Sequence, residues 1–131
     1  NEIAPYKRPL SSMTPTIIMK DNELFFTTGS PGGARIISAV LQSILNIVDF
    51  EMDLEEATFA KRIHHQWQPD VLEMEFFIDD NLKNELQEIG YKLKVTNPLT
   101  CIQTIMYRNN SFYGYGDFRR PDAFASGEIN D

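Results

Sequence analysis

Cysteine is almost missing from this chain of 131 residues: Cys101 stands alone. That excludes an intrachain disulfide and a CxxC metal knuckle. Positive charge is also short, with 12 Lys and Arg against 19 Asp and Glu, a net charge of −7 and an isoelectric point near 4.8. No basic face or interleaving of basic and aromatic residues offsets this, so a general nucleic-acid binder is excluded. Long apolar runs are missing too. The stretch from Ile36 to Val48 is broken by Ser38, Gln42, Ser43 and Asn46, far from the ~20 residues that span a bilayer. No internal repeat, low-complexity tract or long linker divides the chain. No secretory signal is visible, but the chain opens on Asn1 rather than methionine, so we expect its start to lie upstream and compartment stays open.

What is present reads as one globular domain. Apolar residues make up 42%, more than disordered segments carry. The first 15 residues hold Pro5, Pro9 and Pro15 and read as an irregular leading segment. Two β-rich runs, Thr16-Ile17-Ile18-Met19 and 24–28, flank the polar turn Lys20-Asp21-Asn22-Glu23 and predict a hairpin. Their nearly continuous apolar character predicts cover on both faces. From Ala34 to Val48, apolar residues recur every three or four positions, predicting a core-facing helix with one apolar face. Asp53 is a good N-cap for a helix from Leu54 to about Arg62, with Glu55 and Glu56 favoured in its first turn. A strand over 71–75 follows, then a helix from about Asn81 to Ile89, capped by Asp79-Asp80 and closed by Gly90. Lys92-Leu93-Lys94-Val95 alternates cleanly, and with the preceding helix suits an exposed, lid-like layer. The runs 101–107 and 111–115, split by Arg108-Asn109-Asn110, predict a second hairpin. The tail from Asp117, with Pro121 and the final residues 127–131, is polar and expected to fray in part. This order fits an α+β domain, a mixed and largely antiparallel sheet flanked by helices.

Three blocks carry candidate chemistry. The first is Thr28-Gly29-Ser30-Pro31-Gly32-Gly33, between a strand and the long helix. Paired glycines there let the backbone approach a ligand, and the N–H groups opening a helix carry its positive end. That is the construction of an anion site or oxyanion hole, though by itself a glycine-rich turn is also simply a turn. The second is Ser11-Ser12, whose hydroxyl and N–H groups can clamp a carboxylate or only shape a loop. The third is His64-His65-Gln66-Trp67. Adjacent histidines point apart and make a poor metal site without a third ligand, so we read His64, His65 and Trp67 as packing and hydrogen-bonding support.

In this order and spacing, Lys7-Arg8-Pro9-Leu10-Ser11-Ser12-Met13-Thr14-Pro15-Thr16, the Gly32-Gly33 block and His64-His65-Gln66-Trp67 with Pro69-Asp70 closely resemble the C-terminal part of the small subunit of γ-glutamyltranspeptidases, or glutathione hydrolases. The resemblance continues to Tyr113-Gly114 and Asp117 and covers nearly the whole chain. One departure is Asp117-Phe118-Arg119-Arg120, where many relatives place proline directly after the aspartate; this affects the local turn, and Asp117 itself receives no role.

The resemblance implies a portion of the αββα four-layer sandwich of N-terminal-nucleophile hydrolases. It implies a proenzyme that cuts itself into large and small subunits, with the new N-terminal threonine attacking a γ-glutamyl amide such as that of glutathione, and with no metal or cofactor. Gly32 and Gly33 would supply oxyanion N–H groups, and Ser11 and Ser12 would hold the substrate α-carboxylate. The nucleophile is absent: every threonine here is internal, and Thr27-Thr28 lies within the oxyanion block. The partners implied are the large subunit and the missing N-terminal part of the small subunit, and the uncovered surfaces predict self-association of this piece. Related acylases and poly-γ-glutamate depolymerases stay open, as does a stand-alone binding module with a vestigial site. Relatives are periplasmic or secreted, or face the cell exterior.

Overall fold

The computed structural model describes residues 2–76 and 79–128. The chain opens with β1 (Thr16–Lys20) and β2 (Glu23–Gly29), an antiparallel hairpin. Its turn residues Asp21 and Asn22 take φ of 52° and 66°, the left-handed pair that matches the twist of two strands. Helix α1 (Arg35–Val48) follows, then α2 (Leu54–Phe59), β3 (Ile63–His65), β4 (Leu72–Glu75), α3 (Asp80–Ile89) and β5 (Leu93–Thr96). The described chain closes with β6 (Gln103–Arg108) and β7 (Ser111–Gly116), joined through Asn109 and Asn110, again both at positive φ.

The strands form two sheets. One is wholly antiparallel in the order β1-β2-β6-β7; the other, β3-β4-β5, is antiparallel at its first pairing and parallel at its second. The expected α+β arrangement of a largely antiparallel sheet with helices is therefore present. Alternation along the strands turns Phe26, Thr28, Thr104 and Met106 to the helix-covered face. Phe26 and Met106 meet Ile47, Leu54 and Ala57 there, and a second cluster joins Ile36, Ala39, Val40 and Ile102. Fully burying the larger of these, the Phe, Met, Ile, Leu and Val side chains, stabilises by roughly 1.5–3 kcal/mol each.

Three expectations of the fold need correction. First, the β1–β2 hairpin is not covered on both faces. The row Ile17, Thr27, Ile105 and Gly114 forms the opposite face, where Ile17 is 68% and Ile105 51% exposed. Continuous apolar character marks a sheet meant to be covered, but among the described residues no helix or strand lies over this row; the irregular tail approaches it at Gly114 through Ala125 and leaves Ile17 and Ile105 open. Second, α2 stops at Phe59 rather than near Arg62. Ala60 leaves the helix at ψ 140°, and the backbone of Arg62 instead exchanges hydrogen bonds with Glu75, through its main chain and its carboxylate. Residues 63–65 are consequently a strand. Third, α1 faces the core as expected, but its buried face is not wholly apolar: Ser43 is buried with Ile36, Ala39, Val40 and Ile47, whereas Ile37 and Leu41 are half exposed.

Caps behave as their chemistry dictates. Asp53 and Glu56 form a reciprocal capping box at the start of α2. Asp79 accepts from the N–H groups of Asn81 and Leu82, and Gly90 closes α3 at φ 112° with the N–H of Tyr91 bonded to Leu86 O. None of α3 is buried, in keeping with an exposed outer layer. Of the tail expected to fray, Ile129, Asn130 and Asp131 lie outside the described residues.

Candidate functional site

The glycine turn leaves β2 and enters α1. Gly32 has φ +135° and Gly33 φ +61°, conformations that residues with a Cβ rarely adopt. At Gly32 space forbids a side chain as well, since a Cβ would lie 2.7 Å from Thr100 Oγ1; at Gly33 nothing lies within 4 Å. The carbonyls of both glycines take up helix N–H groups, Arg35 N to Gly32 O at 3.3 Å and Ile36 N to Gly33 O at 3.1 Å. Among the described residues neither glycine N–H has an acceptor, and both residues are exposed. Two unpaired donors at the head of a 14-residue helix are electrostatically suited to a negatively charged oxygen.

Ser11 and Ser12 lie on the segment leading into β1. Strand β1 runs antiparallel to β2 with Thr16 opposite Thr28 at the end of the ladder, so the segment that precedes Thr16 and the glycine turn that follows Gly29 adjoin the same end of the hairpin. Both blocks thus leave the sheet at the same end. Ser11 Oγ accepts from Met13 N at 3.2 Å, which leaves its proton free to donate.

Histidine 64 is buried beneath α1: its Nδ1 is 2.8 Å from Ser38 Oγ and its Nε2 3.3 Å from Gln66 Oε1. With Gln66 Oε1 accepting, Nε2 carries the proton and Nδ1 takes the serine hydroxyl. His64 thus supplies the hydrogen-bonding support the sequence suggested, from β3 to Ser38 in the first turn of α1. His65 lies outward, 3.3 Å from Asp70 and edge-on to Tyr91. Trp67 departs from the expectation of packing, being 77% exposed at φ 65°. The threonine doublet is structural in its second member: Thr28 is buried with its hydroxyl 2.8 Å from that of Thr104.

Sequence reasoning missed a buried ionic quartet behind this site. Arg62 and Asp117 meet at 3.0 Å, Arg119 and Glu75 at 2.7 Å, and Arg119 also reaches Asp117 at 3.1 Å. All four side chains are at most 5% exposed, yet the two positive and two negative charges balance. Backbone groups complete them: Ile102 N and Arg119 N donate to Asp117, while Arg62 N and Leu99 N donate to Glu75. The guanidinium groups also donate to Thr58 O, Phe59 O and Ala60 O, the carbonyls that α2 leaves unpaired at its end. Burial and the field of Arg119 lower the pKa of Arg62, against the attraction of Asp117. For Arg119 burial also works against the charge, but the Glu75 hydrogen bonds and the field of Asp117 outweigh it and raise the pKa. Arg62 Nη1 further donates to Thr100 O at 3.1 Å, which joins the quartet to the residue under Gly32. The signal in the sequence was Asp117 with Arg119 two positions on, but no local pattern pairs them with Glu75 or Arg62.

Comparison with known proteins bears on what this arrangement serves. Residues 1–127 match the family model for gamma-glutamyltranspeptidase. A glutathione hydrolase proenzyme of Escherichia coli is 44% identical over 97% of the chain, and one of Pseudomonas 38% identical over 97%. The chain spans only 22% and 24% of those relatives' length. Among solved structures, a mutant gamma-glutamyltranspeptidase of Helicobacter pylori superposes with a TM-score of 0.85 at 41% identity, covering 90% of this chain and 66% of that one. The enzyme of Pseudomonas nitroreducens complexed with L-DON superposes at 0.86 and 32% identity, covering 100% and 68%. A match of sequence and fold over nearly every residue leaves one conclusion: the chain belongs to the γ-glutamyltranspeptidase family, and its two sheets and helices are a portion of an N-terminal-nucleophile hydrolase fold.

Proposed function

We propose that this chain is the C-terminal part of the small subunit of an enzyme that cleaves γ-glutamyl amides, glutathione among them, and passes the γ-glutamyl group to water or to an amino acid or peptide. The observation that carries this reading is the pair of unpaired N–H groups at Gly32 and Gly33 heading α1, in a chain of this family. A threonine in the N-terminal part of the same subunit attacks the amide carbonyl, its own α-amine taking the proton. The carbonyl oxygen becomes an oxyanion, and the two glycine N–H groups receive it. Removing one such donor costs about 3–4 kcal/mol of transition-state stabilisation. The tetrahedral species expels the amine, which gains a proton, and leaves a γ-glutamyl ester. Water or an amine then attacks that ester through the same oxyanion site.

Ser11 and Ser12 hold the α-carboxylate of the γ-glutamyl group. Their place at the same end of the hairpin as the glycines supports this role. The rest of the site comes from the large subunit and the N-terminal part of the small one, and the finished enzyme works in the periplasm or outside the cell. The test is turnover of a γ-glutamyl anilide by the full-length protein. Gly32→Pro, which removes an N–H and cannot adopt φ +135°, is expected to abolish turnover with both subunits still assembled. Unchanged turnover refutes the oxyanion role.

A further inference from the structure

We propose that Thr100 is a positioning residue for the oxyanion site, and that it sets the direction of the Gly32 N–H by holding the opposite end of the same peptide unit. The proposal rests on the reading of Gly32 as an oxyanion donor. The Pro31–Gly32 peptide is planar and trans, since among the described residues the cis bond is at Gln68–Pro69. In a trans peptide the C=O and N–H point in opposite directions from one rigid plane. Whatever fixes Pro31 O therefore fixes where Gly32 N–H points.

Pro31 O accepts a hydrogen bond from Thr100 Oγ1. Ser30 Oγ completes a triangle, 2.6 Å from Thr100 Oγ1 and 2.8 Å from Pro31 O. Two hydroxyl protons serve these three oxygens, so each hydroxyl donates once and the carbonyl is held from both sides or in relay. Thr100 stands so close beneath the turn that any side chain at position 32 would strike it. With Pro31 O turned in toward Thr100, Gly32 N–H is turned outward, where no described group accepts it.

The base under this contact is rigid. Leu99 N donates to Glu75, Thr100 O accepts from Arg62, and Ile102 N donates to Asp117. Three backbone groups within four residues are thus tied to buried charges, which puts the Thr100 hydroxyl on a fixed support 70 residues along the chain from Ser30.

The test compares full-length Thr100→Val, which keeps the shape and loses the hydroxyl, with Thr100→Ser, which keeps the hydroxyl. Misplacement of a reacting group by ~1 Å can cost about a hundredfold. Thr100→Val is therefore expected to lower kcat for a γ-glutamyl anilide about tenfold to a hundredfold with KM within about twofold, and Thr100→Ser to restore it. In crystal structures of the three proteins, the Pro31–Gly32 peptide is expected to rotate in Thr100→Val alone. Equal activity of the two variants, whether both high or both low, or a larger loss in Thr100→Ser, overturns the proposal, as does an unmoved peptide in Thr100→Val. A wild-type protein inactive on γ-glutamyl anilides would refute the functional reading instead, and the peptide orientation in the crystals would still decide the role of Thr100.

Discussion

Asp117→Asn isolates what the buried quartet contributes. Asp117 is 0% exposed and accepts four hydrogen bonds: from Arg62 Nη1 at 3.0 Å, Arg119 Nη1 at 3.1 Å, Ile102 N at 2.8 Å and Arg119 N at 3.0 Å. Asparagine keeps the shape but has one accepting oxygen and an amide that donates, so at least one of the four donors faces another donor. The larger effect is charge. Two buried guanidinium groups would then share the single carboxylate of Glu75, and breaking a buried pair in this way costs about 3–5 kcal/mol. A buried donor left unsatisfied costs about 1–3 kcal/mol more, not fully additively, so about 5 kcal/mol is expected. That is a large share of the ~5–15 kcal/mol that holds a domain together. The assay is denaturant unfolding, read as a shift in midpoint at constant slope. Asp70→Asn serves as control: Asp70 is 74% exposed beside His65 and Lys92, and such surface pairs contribute about 0–1 kcal/mol. A loss at Asp117 no larger than at Asp70 would refute the reasoning.

Glu73 gives a prediction in pH. A hydrogen bond from Lys94 above all lowers its pKa from 4.5, partial burial opposes this, and the hydrogen bond and charge of Arg35 lower it further. A depressed carboxylate stabilises the fold fully above its unfolded pKa and loses that stability as pH falls through the folded value. The melting temperature of wild type should therefore fall more steeply below about pH 4.5 than that of Glu73→Gln; parallel curves would count against the Lys94–Glu73–Arg35 cluster. The open sheet face with Ile17 and Ile105 should drive the isolated 131-residue chain to associate, and the double change Ile17→Lys, Ile105→Lys should return it to monomer. Light scattering that finds wild type strictly monomeric would defeat this.

Legibility in the sequence followed the range of the interactions. Both hairpins were readable because Asp21-Asn22 and Asn109-Asn110 carry their turn chemistry locally. The Asp53 capping box and the Gly90 closure were readable for the same reason. The early end of α2 was not, because what draws Arg62 out of the helix is Glu75, 13 residues on, and Asp117, 55 residues on. The glycine pair announced a close backbone approach, but not what approaches it. That is Thr100, and 70 positions separate its hydroxyl from Ser30. Trp67 was misread because aromatic character speaks for burial only when something lies over it.

The quartet also explains how an exposed turn can be held in a single shape. A buried ion pair adds little stability over apolar residues of similar volume, but it forbids arrangements in which either charge is left alone. Here that constraint acts on five places at once: the end of α2, the start of β3, the end of β4, residues 99–102 and the turn at 117–119. Residues 99–102 are the part of this set that touches the glycine turn, through Thr100. Residues 31–33 are exposed and two of them sit at positive φ, so the turn depends on contacts from outside itself for a fixed shape. Its geometry is set from below, by charges that have no solvent to relax into. An effect of Asp117→Asn on kcat at temperatures where the protein is still folded would follow from this chain of contacts, and its absence would mean that Thr100 holds the turn without help from the quartet.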